Sequence, residues 1–179
     1  MSKDEILEAA IEVAVQFHKG QKDKNNEPYI LHPLRVMMNC ASYDEKIVAV
    51  LHHVLEDTSC TDEYLMVMLK SEELLDAIKT LTRKRDEHYF DYINRIKGNA
   101  LAVTVKKSDL EDNLSRAGAS AGLRKRYYDA LQVLCRKDNV PKDETILAEF
   151  YGFIVTIDCL CPAAACYPVF SDRWYAGSA

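Results

Sequence analysis

Apolar residues recur at helical spacing along most of this chain, and that spacing constrains the fold more than any other feature. In the first segment Ile6, Ala10, Val13 and Phe17 share one helical face, so residues 3–18 are predicted to form an amphipathic helix. No run before position 150 alternates as a half-buried strand does, so we predict an all-α fold of roughly eight helices. The other predicted helices cover residues 33–41, 44–56, 61–70, 72–82, 86–96, 100–116 and 123–136.

Composition narrows the class of ligand and the compartment. The net charge of −5 gives no basic surface for a nucleic-acid backbone, and an acidic protein that handles a phosphorylated ligand needs local cations or a metal. The start of the chain has no secretory signal, and no apolar stretch is long enough to span a bilayer. Three widely scattered cysteines, Cys40, Cys60 and Cys135, suit reduced thiols, so we expect a cytoplasmic protein with no membrane partner.

Two adjacent histidines end the apolar run of the predicted 44–56 helix. His52 and Glu56 are four residues apart, as are His53 and Asp57, so each pair would share one helical face. Imidazoles followed by carboxylates are typical of a site for a divalent transition metal. Taken alone, such a stretch is more often a solvated, acidic helix end with histidines on the surface.

A third histidine lies at the start of another predicted helix. His32 directly precedes Pro33, which suits the first helical position because proline lacks the N–H that this position leaves unpaired. We therefore predict His32 at the N-cap, where its direction would be fixed as a ligand requires. The alternative is a simple cap or core histidine.

The predicted 100–116 helix carries polar groups along an apolar stripe. Leu101, Val105, Asp109 and Asn113 are spaced by four, so the carboxylate and the amide extend the stripe inward. A buried carboxylate needs a partner, and a metal is one candidate. An internal salt bridge, or a helix that surfaces at this point, would also satisfy it.

Four segments in this order resemble the hydrolase domain of the Rel/SpoT enzymes and the small stand-alone alarmone hydrolases of the HD superfamily. The resemblance covers about residues 4–136 and implies an all-α HD-domain bundle. The segments are FHKGQKDKNNEPYILHPLRVM, VLHHVLEDT, IKTLTR and VKKSDLEDNL.

The resemblance also implies an activity and a set of site residues. Enzymes of this family use Mn²⁺ to remove pyrophosphate from the 3′ position of guanosine tetra- or pentaphosphate, (p)ppGpp. Their water-activating pair corresponds to Glu56 and Asp57. Residues of the substrate pocket correspond to Lys24, Lys106 and Asn113, and the metal ligands correspond to His32, His52, His53 and Asp109.

Two residues depart from the family pattern. The family has His-Asp where this chain has His52-His53, so we expect weaker binding of hard Mn²⁺ and a shift toward softer divalent metals. Asp23 lies where an arginine is often found near the base, and an acidic residue there fits an anionic nucleotide less well. Another nucleotide such as NADPH, or a degenerate site that binds nucleotide without turning it over, therefore remains an alternative.

The tail is predicted to be a separate extension. Residues 1–140 would form the phosphohydrolase domain, and residues 141–179 lie outside the resemblance. The tail lacks a clean helical or strand period. Its Cys159, Cys161 and Cys166 are interpreted as reduced thiols, with a metal site as the alternative.

Overall fold

The computed structural model describes residues 1–116 and 120–136, and every regular element in these ranges is an α-helix. The all-α prediction is therefore confirmed for this part of the chain, which lies within a compact unit, Met1–Asp138. The expected extension, residues 141–179, lies outside the described residues. The helices are α1 (Lys3–Phe17), α2 (Leu31–Met38), α3 (Tyr43–Leu51), α4 (Val54–Asp57), α5 (Asp62–Leu69), α6 (Glu72–Leu81), α7 (Tyr89–Ile96), α8 (Ala100–Ser115) and α9 (Ala121–Cys135).

Side-chain caps start most of these helices. Ser2 and Ser42 each form a capping box with the glutamate three residues later, which satisfies backbone N–H groups that would otherwise lack a partner. Thr61 caps α5, because its side chain accepts from the Tyr64 backbone N–H. None of the described helices is long and apolar enough to cross a membrane.

Helix α3 forms the centre of the hydrophobic core. Its residues from Ile47 to Leu51 are fully buried, and it packs against α1, α2, α6 and α8. Because this second half of the helix is apolar on all sides, polar groups follow only where the helix ends. That end is the His52-His53 pair, which is thereby fixed against the core.

The predicted 44–56 helix is interrupted, so that prediction was wrong in one respect. Helix α3 ends at Leu51 and the short α4 starts at Val54. The His52 ring donates from Nδ1 to the Ala49 carbonyl at 2.6 Å. In an unbroken helix that carbonyl would accept from the backbone N–H of His53, so the side chain takes the place of a backbone donor.

The predicted N-cap at His32 was also wrong. Helix α2 begins at Leu31 with Ile30 as its N-cap, so His32 is the second helical residue and Pro33 the third. Proline is still tolerated there because the first four N–H groups of a helix have no intrahelical partner. The His32 side chain still has a fixed direction, as was expected for the cap position.

Helix α7 starts three residues later than predicted. Residues 83–88, which follow α6, form a turn rather than helix, and the helix begins at Tyr89. Glu87 organises this turn, because its carboxylate accepts from the Lys84 backbone N–H at 3.1 Å.

Candidate functional site

Three separate segments bring the four predicted ligand residues together. His32 comes from α2, His52 and His53 from the break between α3 and α4, and Asp109 from α8. One donor atom of each lies within 4.8 Å of the corresponding atom of the others. The prediction that Asp109 extends the apolar stripe of its helix inward is confirmed, because the residue is only 1% exposed.

His32 lies between two carboxylates. Its Nδ1 donates to Asp112 Oδ2 at 2.8 Å, and its Nε2 lies 3.1 Å from Asp109 Oδ1. Burial opposes protonation of the ring, but the two carboxylates together raise the pKa of His32 to about 9. The hydrogen bond to Asp112 fixes the ring so that Nε2 faces the cluster.

Asp112 is a site residue that the sequence reasoning missed. It is 5% exposed, and the Arg35 side chain donates to both its oxygens, from Nε at 2.7 Å and from Nη2 at 3.2 Å. Its position three residues after Asp109 places it on a neighbouring part of the same helix face. That spacing was a signal, although it did not show which histidine Asp112 contacts.

His52 is neutral and directs one free ring nitrogen into the cluster. Burial lowers the pKa of His52 to about 3. Since Nδ1 donates to the Ala49 carbonyl, Nε2 carries the lone pair, and this buried atom has no hydrogen-bond partner among the described residues. It lies 3.8 Å from Asp109 Oδ1.

His53 is less buried than the other two histidines and is paired with Asp57. Its Nδ1 lies 3.3 Å from Asp57 Oδ2, and the Tyr29 hydroxyl donates to the same oxygen at 3.0 Å. His53 and Tyr29 together hold the pKa of Asp57 below its usual range, despite partial burial. His53 Nδ1 forms no hydrogen bond with good geometry among the described residues, so Asp57 is its neighbour in charge. Asp57 is not among the residues that line the adjoining cavity.

Two of the predicted substrate-binding residues, Lys106 and Asn113, contact Asp109 and also line the adjoining cavity. Lys106 Nζ donates to Asp109 Oδ2 at 2.7 Å, and Asn113 Nδ2 donates to Asp109 Oδ1 at 2.7 Å. Burial alone would raise the pKa of Asp109, but Lys106 and the neighbouring histidines hold it well below its usual range. The carboxylate therefore stays ionised, which a cation ligand requires. A substrate contact by either residue stays a prediction.

A cavity of about 500 Å³ adjoins the cluster. Glu56 and the predicted Lys24 both line it, as do His32, His53 and Asp109. The cavity also contains arginines that the sequence reasoning did not single out, because their positions depend on how separate helices pack. These are Arg83, Arg116 and Arg126.

The Asp23 carboxylate accepts hydrogen bonds from its own loop. Asp23 accepts from the backbone N–H groups of Asn25 and Glu27, at 2.8 and 3.0 Å, and pairs with the Arg116 guanidinium. The hydrogen bond from Arg116 lowers the pKa of Asp23 to about 2. The unfavourable charge expected toward an anionic ligand is therefore offset by a guanidinium from the end of α8.

The donor set fits a divalent transition metal. Three imidazoles and one ionised carboxylate converge, and His52 Nε2 is a buried lone pair that the protein leaves unpaired. His32 has the carboxylate partner on its second nitrogen that metal-ligating histidines usually have. The cluster could therefore hold a divalent ion through His32, His52, His53 and Asp109.

Comparisons with known proteins support the resemblance that the four segments indicated. A guanosine-3′,5′-bis(diphosphate) 3′-pyrophosphohydrolase of Borreliella burgdorferi is 37% identical over 102 residues, which is 55% of this chain and 14% of the relative. The protein of that name from Aquifex aeolicus is 30% identical over 122 residues, or 62% of this chain and 17% of the relative. The bifunctional (p)ppGpp synthase/hydrolase SpoT of Escherichia coli is 27% identical over 135 residues, or 66% of this chain and 19% of the relative.

The chain thus spans less than a fifth of the length of these curated relatives. No protein-family model matches it. Among solved structures, the chain is similar to a metazoan ortholog of SpoT that hydrolyzes ppGpp and plays a role in starvation responses. The TM-score is 0.58 at 20% identity, over 73% of this chain and 83% of that one. This likeness independently supports the helical fold.

Proposed function

We propose that this chain is a metal-dependent hydrolase that removes the 3′-pyrophosphate from (p)ppGpp. The observation that carries the proposal is the cluster of three histidines and Asp109 at the wall of a cavity that also contains Glu56 and several cations. The named activity of the sequence relatives supports the choice of substrate. We also propose a place in the cytoplasm, with the hydrolase domain in residues 1–140 and an extension of unassigned role in 141–179.

The proposed metal is Mn²⁺, held by His32, His52, His53 and Asp109. When bound, such an ion lowers the pKa of a water molecule and offsets charge on phosphoryl oxygens. The carboxylate of Asp109 suits a hard cation, whereas three imidazoles also suit softer ions. A weaker preference for Mn²⁺ than a site with two carboxylates would have is therefore part of the proposal.

Glu56 is the proposed general base. It lines the cavity, and its Oε2 accepts from the Arg83 backbone N–H at 3.0 Å. The carboxylate would take a proton from the water that attacks the 3′-α phosphorus. The bond from that phosphorus to the 3′ oxygen of the ribose then breaks, and this oxygen takes up a proton, giving GDP and pyrophosphate from ppGpp.

Asp57 has a supporting part in this scheme. It lies beside His53 and accepts from the Tyr29 hydroxyl at 3.0 Å, so it would help to orient the attacking water through that histidine. The cavity cations Lys24 and Arg126 would bind the phosphates of the nucleotide, whereas the Arg83 side chain donates to the Glu87 carbonyl. Lys106, which is buried against Asp109, would keep that ligand ionised.

The proposal is tested by a turnover assay on ppGpp with Mn²⁺, scored for GDP and pyrophosphate. Glu56→Ala, purified in parallel, controls for a contaminating hydrolase. We expect this variant to lose roughly a hundred- to ten-thousand-fold in rate. Its metal content, measured by mass spectrometry, should be unchanged, because Glu56 is not part of the four-residue cluster.

Two results would contradict the proposal. If the wild type with Mn²⁺ leaves ppGpp intact but releases phosphate from NADPH or a nucleoside phosphate, another nucleotide is the substrate. If Glu56→Ala loses its metal together with its activity, the carboxylate is a ligand and its assigned role is wrong.

A further inference from the structure

The carboxylate of Glu56 is held by one backbone group. Among the described residues, the Arg83 N–H is the hydrogen-bond donor that contacts it, at 3.0 Å to Oε2. Glu56 itself is exposed at the cavity and belongs to the four-residue helix α4, so it has little packing to fix its rotamer. The direction of this carboxylate therefore depends on where the Arg83 backbone lies.

Arg83 lies in the 83–88 turn, which has no regular structure of its own. Its position is set by Glu87, whose carbonyl accepts from Arg83 Nε at 3.1 Å and from Arg83 Nη2 at 2.7 Å. The Glu87 carboxylate also accepts from the Lys84 backbone N–H. Both the carbonyl and the carboxylate of Glu87 therefore accept hydrogen bonds from residues at the start of the turn.

The Arg95 side chain of α7 joins this turn to the end of α6 through hydrogen bonds. Its Nε and Nη2 donate to the two Glu87 carboxylate oxygens, at 2.7 and 2.8 Å. The same guanidinium donates to the carbonyls of Thr80 and Thr82, at 2.9 and 3.1 Å. One side chain therefore joins the last turn of α6, the 83–88 turn and α7.

This arrangement needs arginine in particular. Four donors of one planar group serve two carboxylate oxygens and two carbonyls, and a lysine amine could not reach all four in fixed directions. The pair is largely shielded, with 29% of the Arg95 side chain and 12% of the Glu87 side chain exposed. Neither residue is among those that line the cavity.

We propose that Arg95 and Glu87 are positioning residues that hold the Arg83 backbone N–H against Glu56 and so aim the proposed general base at its water. The inference rests on the proposed function of Glu56. It predicts that loosening the turn slows the chemical step and leaves the metal cluster and substrate affinity as they are. A merely structural pair would instead change stability without a specific effect on kcat.

The kinetic test compares Arg95→Lys and Glu87→Gln with the wild type in the ppGpp assay. We expect kcat to fall about ten- to a hundredfold in each, because small misplacement of a catalytic group has effects of this size. The KM and the Mn²⁺ affinity should stay within about twofold, since neither residue contacts the cavity. Asp62→Asn breaks another ion pair at α6, with Lys79, and is the matched control that should leave kcat unchanged.

A double variant shows whether Arg95 acts through Glu56. If it does, Arg95→Lys combined with Glu56→Ala should be no slower than Glu56→Ala alone. Rates that multiply would overturn the proposal. So would a kcat for Arg95→Lys equal to that of the wild type while Glu56→Ala is impaired.

Hydrogen exchange at the Arg83 amide tests the same idea without any turnover. We expect exchange at this amide to accelerate at least about tenfold in Arg95→Lys and in Glu56→Ala, but not in Asp62→Asn. If Glu56→Ala accelerates exchange and Arg95→Lys does not, the positioning proposal fails. If both accelerate it but ppGpp is not hydrolysed, the positioning is correct and the proposed function is wrong.

Discussion

At the scale of single residues, each histidine of the cluster has its own partner. His32 donates to Asp112, His52 donates to the Ala49 carbonyl, and His53 lies beside Asp57. The hydrogen bonds of His32 and His52 orient these two rings before any ligand binds, because each uses Nδ1 and leaves Nε2 toward the cluster. Substituting one of these partner residues is therefore expected to change metal binding by changing the orientation of the histidine ring.

The His53→Asp substitution should convert the site to the pattern of the resembling family and raise its affinity for Mn²⁺. A carboxylate offsets one unit of the ion's charge, whereas neutral imidazole offsets none, and a hard cation prefers oxygen. Titration calorimetry with Mn²⁺, together with ppGpp turnover, measures the effect. If the variant gains neither affinity nor rate with Mn²⁺ and loses affinity for Zn²⁺, His53 is an adapted ligand for a softer metal.

The Asp112→Asn substitution should weaken metal binding without removing a proposed ligand. The amide cannot hold the His32 ring as the carboxylate does, and loss of such a partner typically costs about ten- to a hundredfold in metal affinity. The affinity is measured by competition with a chelating dye. Glu111→Gln, on an exposed neighbour in α8, is the control. Equal affinities in both variants would show that Asp112 only supports the fold.

At the scale of the elements, two ion pairs hold irregular segments of the chain against helices or helix ends. Asp23 of the 19–28 loop pairs with Arg116 after α8, and Glu87 of the 83–88 turn pairs with Arg95 of α7. Both segments border the cavity through residues such as Lys24 and Arg83. The two ion pairs therefore influence the positions of residues that line the cavity.

These pairs predict how stability depends on acid. The hydrogen bonds from their arginines lower the pKa of Glu87 from 4.5, and that of Asp23 from 3.8, to about 2 in both cases. A lowered pKa stabilises the fold above the ordinary value, and this contribution is lost as the pH falls toward about 2. The melting temperature of the wild type should fall between pH 5 and pH 2, and less steeply in Glu87→Gln. Parallel curves in circular dichroism would contradict this.

The elements also show what the sequence could and could not predict. Apolar spacing located the helices to within a few residues, because burial of one face dominates their formation. The break at His52 could not be predicted, since it depends on a ring that donates to the Ala49 carbonyl. In the same way, motifs located the four cluster residues, whereas Asp112 and Arg83 owe their contacts to helix packing that no local pattern encodes.

At the scale of the whole molecule, the charge is distributed unevenly. The chain carries a net charge of −5, yet Lys24, Arg83, Arg116 and Arg126 all border one cavity beside the metal cluster. A concentration of cations in a concave site attracts an anionic ligand despite the overall charge. The arrangement suits a ligand that has several phosphates, and it favours a substrate such as (p)ppGpp over an uncharged one.

The most direct measurement of the central claim follows ppGpp by ³¹P NMR after incubation with the Mn²⁺-loaded protein and quenching with a chelator. We expect the resonances of the 3′-diphosphate to disappear while those of the 5′-diphosphate persist, and pyrophosphate to appear in equal amount with GDP. Intact ppGpp, loss of the 5′ resonances, or release of single phosphates would contradict the claim that this site removes the 3′-pyrophosphate.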